Sequence, residues 1–423
     1  MENKTHHLTE SKIFCMAPWV HTHIWPNGDV YPCCMADTHR PVANYKTEGD
    51  LKSVWNSEKY KSLRKNMING VESSECNKCY EQEKHGKYNL RKQLTDEYAH
   101  LYDLVTQTQE NGYLDSLELR YLDIRFSNIC NLTCRTCGPD LSSSWGAARA
   151  EKFPEMKIPS FVRIESSSKN KEFWDDLSQY IEKVDRIYFA GGEPLLMQEH
   201  YNILEYLIER EQFDIKIYYN TNFSTFDFKG TSILDYWKKF SKIVVCASLD
   251  GSYEKGEFIR KGLKWDTVVE NRIRMKEECP NVRFILAPTV SVFNADHVLD
   301  FYNEWLELGL VDEYDIQFNV LLFPDAYRIA LLPDDIKTKI VNQIDGIIEK
   351  TDVALTLLKS KRHSIVTQFV SEIQQFKNAL LSKIDKNDQE RLIIELNNRI
   401  NELDTDRNES TWDMFPDLIP LKR

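Results

Sequence analysis

The stretch "YLDIRFSNICNLTCRTC" (121–137) decides how the rest of the chain is read. Its first half, "YLDIRFSN" (121–128), is a short apolar run rich in residues that suit a buried strand. Its second half sets Cys130, Cys134 and Cys137 in a C-x3-C-x2-C spacing directly after that strand. Three thiolates on one short loop suffice for three irons of a cubane cluster and leave the fourth iron open. A structural zinc prefers four closed ligands, usually from pairs of cysteines, and no histidine stands near this triplet to complete one.

Outward from this stretch the chain alternates strand and helix. Apolar, β-branched runs recur at 186–192, 215–222, 242–250, 283–291 and 314–322. Between them lie amphipathic segments such as "HYNILEYLIEREQ" and "WDTVVENRIRMKEE", with apolar residues at i, i+3, i+4 spacing. Such alternation builds βαβ units around a parallel sheet. Six units are two short of a full (β/α)8 barrel; a flat doubly-wound sheet is the alternative. Polar and glycine residues (Asn128, Gly191 to Pro194, Asn220 to Asn222, Ser248 to Gly251, Asn294) fall at the C-terminal ends of the strands, where parallel α/β folds place their chemistry.

The 423 residues carry a net charge of -12, which argues against a nucleic-acid substrate. No apolar stretch approaches the roughly 18 residues of a membrane span, and the first residues lack the apolar core of a signal peptide. A cytoplasmic chain is expected, and there ten cysteines, mostly clustered, read as metal or cluster ligands.

The triplet resembles the signature of the radical S-adenosylmethionine (SAM) superfamily, and further matches follow in the expected order. "GGEP" (191–194) ends the second strand. Family members use it to bind the SAM amino group, with Gly191 and Gly192 allowing close backbone approach and Glu193 accepting from the ammonium. Ser248 in "SLDG" (248–251) matches the usual ribose or carboxylate contact, and Arg260 matches the arginine that pairs with the SAM carboxylate. Leu321, with Val320, is offered to the adenine, and Asn220 and Asp250 complete the cofactor set at strand ends. One departure is Thr136, where members usually carry an aromatic residue before the last cysteine. The resemblance implies a [4Fe–4S] cluster on Cys130, Cys134 and Cys137, SAM as cofactor, and a flavodoxin- or ferredoxin-type electron donor.

Before the barrel, "HTHIWPNGDVYPCC" reads as a β-hairpin turning at "NGD", and "DLKSVWNSEKYKSLRKNMING" as helix ending at Gly70. Cys15, Gly28 and Cys33 form a C-x12-G-x4-C pattern, and Cys76 and Cys79 a C-x2-C. This resembles the twitch domain, the short form of the SPASM auxiliary domain, although in the best-known members that module follows the barrel. The resemblance implies an auxiliary [4Fe–4S] cluster on Cys15, Cys33, Cys76 and Cys79. Four cysteines in two knuckles also suit a structural zinc. Cys34 adjoins Cys33 and on a strand points the other way, so only one of the two is a ligand; Cys34 is expected as a buried small hydrophobe, with a thiol facing the substrate pocket as the alternative. Cys246 and Cys279 read as structural; His21 and His23 share one face of the hairpin and read as solvated or core residues, with a substrate-facing pair as the alternative.

The expected organisation is therefore a Cys-rich auxiliary-cluster domain (1–88), a helical connector (89–118), a partial (β/α)6 TIM-like barrel (119–330) and a C-terminal helical region (331–423). "LDTDRNESTWDMFPDL" (403–418) resembles the closing segment of twitch-domain radical SAM proteins. The function implied is an oxidoreductase or maturase. SAM is cleaved to methionine and a 5′-deoxyadenosyl radical, which takes a hydrogen from a small molecule or peptide in an oxidation or bond-forming modification. Fourteen residues precede Cys15, too few for the leader-binding domain of many peptide-modifying members; the expectation is a small molecule or a partner-delivered peptide. The alternative is a non-catalytic iron–sulfur or SAM-binding sensor with a structural zinc in its first domain.

Overall fold

The computed structural model describes residues 2–84, 89–152, 171–357 and 363–423, so the expected domain boundary at 88 lies outside the described residues. Two compact units divide the chain: the first holds residues 1–130, 139–220 and 239–243, the second 131–138, 221–238 and 244–423.

In the first unit, β1 (His21–Ile24) and β2 (Asp29–Tyr31) form the expected hairpin, with His23 opposite Tyr31. Its turn is closed by the Trp25 N–H donating to the Asp29 carbonyl at 2.8 Å. Gly28 has φ +95°, and a Cβ there would meet Asn44 Oδ1 at 2.9 Å. β3 (Ala43–Asn44) continues the antiparallel edge. On its other side β1 pairs in parallel with β4 (Tyr121–Ile124), residue for residue from His21 opposite Tyr121 to Ile24 opposite Ile124. β5 (Arg186–Phe189) and β6 (Lys216–Thr221) follow in parallel, so the order is β6-β5-β4-β1-β2-β3.

The helices of this unit obey local rules. Asp50 and Ser57 cap Leu51–Trp55 and Glu58–Ile68 by accepting from Ser53 and Tyr60 backbone N–H groups. The second ends at Gly70, which has φ +68°, while the Val71 N–H donates to the Asn66 carbonyl. The crossover helix Gln198–Glu209 buries His200, Ile203, Leu204 and Leu207, the i, i+3, i+4, i+7 stripe of its sequence.

In the second unit, β7 (Asp227–Phe228) and β8 (Thr231–Ser232) form a small antiparallel hairpin. β9 (Lys242–Ala247) and β10 (Arg283–Leu286) are parallel, connected through the helices Tyr253–Ile259 and Trp265–Glu278. The strand expected over 283–291 divides at Pro288, which has no N–H to give, into β10 and β11 (Thr289–Val290). The sixth strand is correspondingly reduced to a bridge between Leu286 and Ile316 and to β12 (Asn319–Val320), parallel to β11. Helices Asp334–Leu357, His363–Leu380 and Lys386–Arg407 form the expected C-terminal region. The fold is α/β, and the alternation from β4 to β12 is that of a partial (β/α)6 barrel. Among the described residues no helix is long and apolar enough to cross a membrane.

Gly28→Ala should lower unfolding free energy by about 1–3 kcal/mol, because it adds both backbone strain and a clash with Asn44. Gly49 has a similar φ, +90°, with nothing within 4 Å of a Cβ, so Gly49→Ala should cost less. Denaturant melts of both variants check the order.

Candidate active site

The cysteine loop is fixed from both of its ends. In the first unit Asn128, fully buried, donates from Nδ2 to the Pro139 carbonyl at 2.9 Å. The Cys130 N–H donates to Ser143 Oγ at 3.2 Å, and Ser144 Oγ donates to the Cys130 carbonyl at 2.7 Å. The GGEP turn folds against the same stretch, the Glu193 N–H donating to the Ile129 carbonyl at 2.6 Å. Gly192 has φ +50°, and a Cβ on it would lie 2.3 Å from the Ile129 carbonyl oxygen, so only glycine admits this approach. Gly191 likewise lies against the Arg125 side chain. Glu193 is buried, and one of its oxygens accepts from the Leu195 N–H at 3.1 Å, capping a short 3-10 turn. Asn220, in β6, is half-buried.

In the second unit the rest of the loop is stitched to the segment after helix Tyr253–Ile259. The Thr133 N–H donates to the Lys261 carbonyl at 2.9 Å and the Arg135 N–H to that of Ile259 at 2.8 Å. Arg260 lies within: Nη1 is 3.9 Å from Cys134 Sγ, while Nη2 and Nε reach the two Asp250 oxygens at 3.0 and 2.9 Å. Asp250 is fully buried and also accepts from the Thr289 N–H at 2.8 Å. Asn294 donates to the Asp250 and Thr289 carbonyls, closing this corner. Burial disfavours the Arg260 cation, but Asp250 and the Cys134 thiol outweigh it and raise its pKa. Burial pushes the Cys134 thiol up to about 11 although Arg260 draws it down. Asp250, expected as a cofactor contact, thus has Arg260 as its partner. Ser248 is half-buried and its N–H donates to the Thr221 carbonyl; Leu321 is half-buried with its N–H on Val290.

The four amino-terminal cysteines, Cys15, Cys33, Cys76 and Cys79, line one small cavity with Met67 and Leu94. Burial first, then the neighbouring thiols of Cys34, Cys79, Cys76 and Cys15, raise the pKa of Cys33. The Ala17 N–H points at Cys15 Sγ from 3.4 Å, the kind of donor that tunes a cluster thiolate. Arg91, on the cavity wall, is held by Glu83 and by the Phe14 carbonyl. Cys34 is not part of this wall: after burial, the charges it feels most are Asp123 and Arg125. Among the described residues no three His, Cys, Asp or Glu side chains converge tightly enough for a single metal ion. Four thiols lining one cavity have the chemistry of cluster ligands. Cys246 and Cys279 are buried elsewhere, Cys279 donating to the Leu234 carbonyl.

One group of residues carried no clear signal in the sequence. Strand register puts His21, His23, Tyr31, Tyr121, Asp123 and Tyr188 on one face of the first unit's sheet. The opposite face turns Ile187, Phe189 and Tyr219 outward, and Tyr219 meets His200 of the crossover helix at 2.9 Å. His21 donates from Nδ1 to the Tyr121 carbonyl, and its buried Nε2 has no hydrogen-bond partner among the described residues. Burial lowers its pKa to about 4 despite the nearby Asp123. His23 accepts from Trp25 Nε1 at 2.7 Å, and its Nδ1 lies 2.9 Å from Asp123 Oδ2, off the line of a good hydrogen bond. Burial raises the Asp123 pKa, and His23 and Arg125 outweigh it and hold the carboxyl below its ordinary value. Both Asp123 oxygens lack a hydrogen-bond donor among the described residues. The available signal was alternation: an aspartate in the middle of a parallel strand, where a continuous apolar run is the rule.

Residues 124–304 match the model of the radical SAM superfamily, and residues 15–80 match SPASM, an iron–sulfur cluster-binding domain. The chain is a radical SAM protein with an auxiliary iron–sulfur domain in front of its barrel. Its cofactors are SAM, a [4Fe–4S] cluster and an auxiliary cluster, and the thiol sets above supply ligands of the right chemistry for both clusters. No curated protein matches the chain. Among solved structures, native anSMEcpe with bound AdoMet and the Kp18Cys peptide is 22% identical over 54% of this chain and 60% of that one, with a TM-score of 0.38. Streptococcus suis SuiB bound to S-adenosylmethionine is 15% identical over 69% and 63%, again at 0.38. SuiB bound to its precursor peptide SuiA is 15% identical over 79% and 70%, at 0.36. The chain spans about three fifths of the length of the first two.

Arg260→Ala should destabilise the protein by about 3–5 kcal/mol, because it leaves the Asp250 carboxylate buried without its cation. Arg260→Ala combined with Asp250→Asn should recover part of that loss. A double-mutant cycle by chemical denaturation tests this, and independent, additive losses would contradict the pairing.

Proposed function

We propose that this chain is a catalytic radical SAM enzyme whose two cofactor sites address one substrate from opposite ends of a polar sheet face. When bound, the radical cluster supplies the electron that splits SAM into methionine and a hydrogen-abstracting 5′-deoxyadenosyl radical, and the auxiliary cluster supplies an acceptor for the electron the substrate gives up. Cys130, Cys134 and Cys137 would hold the first, and Cys15, Cys33, Cys76 and Cys79 the second. On the first unit, Gly191, Gly192, Glu193 and Asn220 are the proposed SAM contacts; on the second, Ser248, Asp250, Arg260 and Leu321. Glu193 would accept from the SAM ammonium. Arg260 would offer SAM only what Asp250 leaves free.

The observation that carries this reading lies in the first unit. β1 and β4 run in parallel, Cys130 follows the end of β4, and the four-thiol cavity lies at the start of β1, because β2 returns antiparallel to deliver Cys33 there. A strand of four residues, roughly 13 Å long, separates the two ends. His21, His23, Asp123 and Arg125 line the face between them, with acceptors that no well-directed donor among the described residues fills. A polar group of a small molecule or peptide is the substrate chemistry this face suits, and the outcome would be a two-electron oxidation or bond formation. A cytoplasmic setting and a flavodoxin- or ferredoxin-type donor fit this chemistry.

Two variants separate the roles. Cys76→Ala/Cys79→Ala and Cys134→Ala should each lose about half the iron bound after anaerobic reconstitution, since each removes ligands of one cluster. The first should still produce 5′-deoxyadenosine from SAM and dithionite; the second should produce none. Undiminished iron in a folded Cys76→Ala/Cys79→Ala variant would remove the auxiliary cluster from the proposal, and full SAM cleavage by Cys134→Ala would remove the radical cluster from its loop.

A further inference from the structure

We infer that Arg135, between the second and third cysteines of the loop, is a positioning residue that clamps the loop to the closing segment of the chain; this rests on the assignment of the radical cluster to that loop. All residues of the clamp lie in the second unit. The Arg135 side chain is 0% exposed, and its Nη2 lies 2.8 Å from Asp404 Oδ1 and 2.8 Å from Glu409 Oε2. Nη1 donates to Thr411 Oγ1 at 3.2 Å, and the guanidinium lies 3.9 Å over the Phe258 ring.

The closing segment is shaped to receive it. Helix Lys386–Arg407 ends at Asn408, whose φ of +50° reverses the chain. Asp404 accepts from the Thr411 N–H at 2.6 Å and from its hydroxyl at 2.8 Å, which holds its carboxylate in place for Arg135. Two further contacts reach the loop and its neighbour: Arg407 Nη2 donates to the Thr133 carbonyl at 2.6 Å, and Lys261 Nζ pairs with Glu409. Trp412, Phe415, Leu418 and Leu421 are buried behind them.

The arrangement answers a specific need. The loop around Cys134 has no regular secondary structure, yet a cluster requires its thiolates at fixed mutual positions. A surface arginine in such a loop would leave it free to move. A buried one with two carboxylates is held strongly, because breaking either pair strands a charge away from water. Backbone bonds from Thr133 and Arg135 to Lys261 and Ile259 hold one side of the loop, and the clamp holds the other. The closing segment thus serves the radical cluster by holding its loop.

Replacing a group that orients metal ligands typically costs roughly 10–100-fold in metal affinity or activity. Arg135→Lys keeps the charge and loses the fork; Glu409→Gln and Thr411→Val weaken single contacts and guard against a misfolded Arg135→Ala. For each variant and the parent, the readouts are iron per folded chain after limited chelator treatment, the electron paramagnetic resonance signal of the reduced protein with and without SAM, and the melting temperature. The expected result is selective: about half the iron becomes chelator-labile and the SAM-dependent part of the signal falls, while the auxiliary cluster's signal stays. Iron retention and SAM response equal to the parent's in folded Arg135→Lys and Glu409→Gln would overturn the inference, as would a lowered melting temperature with both cluster signals intact. A parent protein without any SAM-responsive signal would instead overturn the assignment of the radical cluster.

Discussion

The parallel pairing of β1 with β4 is the constraint on which the first unit depends. It joins residues one hundred positions apart in the chain, His21 to Tyr121 and Ile24 to Ile124. Through it, a hairpin that looks independent in the sequence becomes part of the barrel sheet. The pairing sets two distances at once. It fixes how far the four-thiol cavity lies from the start of the cysteine loop, and it aligns His21 and His23 with Tyr121 and Asp123 on one face. A slip of β1 by one residue would turn His21 and His23 to the other face, away from Tyr121 and Asp123.

Charge inside the molecule is the second theme. Buried ions are expensive, and three sites here meet that cost in different ways. Asp250 is paired with Arg260, and Arg135 with Asp404 and Glu409. These pairs hold loops rather than strands, because loops lack a hydrogen-bonded ladder to fix them. Asp123 differs: its neighbours His23 and Arg125 keep it ionised, yet its oxygens have no well-directed donor among the described residues. A dry core would not retain such a group without cost, whereas a substrate face would.

Much of this was legible in the sequence because it was written locally. The triplet spacing, the GGEP turn, the hairpin at Gly28 and the helix end at Gly70 each need one residue type at one place, and short-range pattern reading recovers them. The α/β alternation was legible for the same reason, since period and turn chemistry are local. What was lost is long-range. Nothing near His21 says that it will lie beside Tyr121, and nothing near Arg135 names Asp404 and Glu409, about 270 positions away. The six-strand reading was blurred at Pro288, where a missing N–H divides one expected strand in two. Asp250 was read as a ligand contact because its position suggested one, and only the structure reveals Arg260 as its partner.

The central claim is that the thiols of the Cys130–Cys137 loop carry a cluster that cleaves SAM. The most direct measurement is on the unaltered protein, reconstituted anaerobically with iron and sulfide, reduced with dithionite and supplied with SAM. The account predicts methionine and 5′-deoxyadenosine in equal amounts, in a protein holding iron and sulfide for two cubane clusters. A fully loaded protein that binds SAM and releases neither product would contradict it.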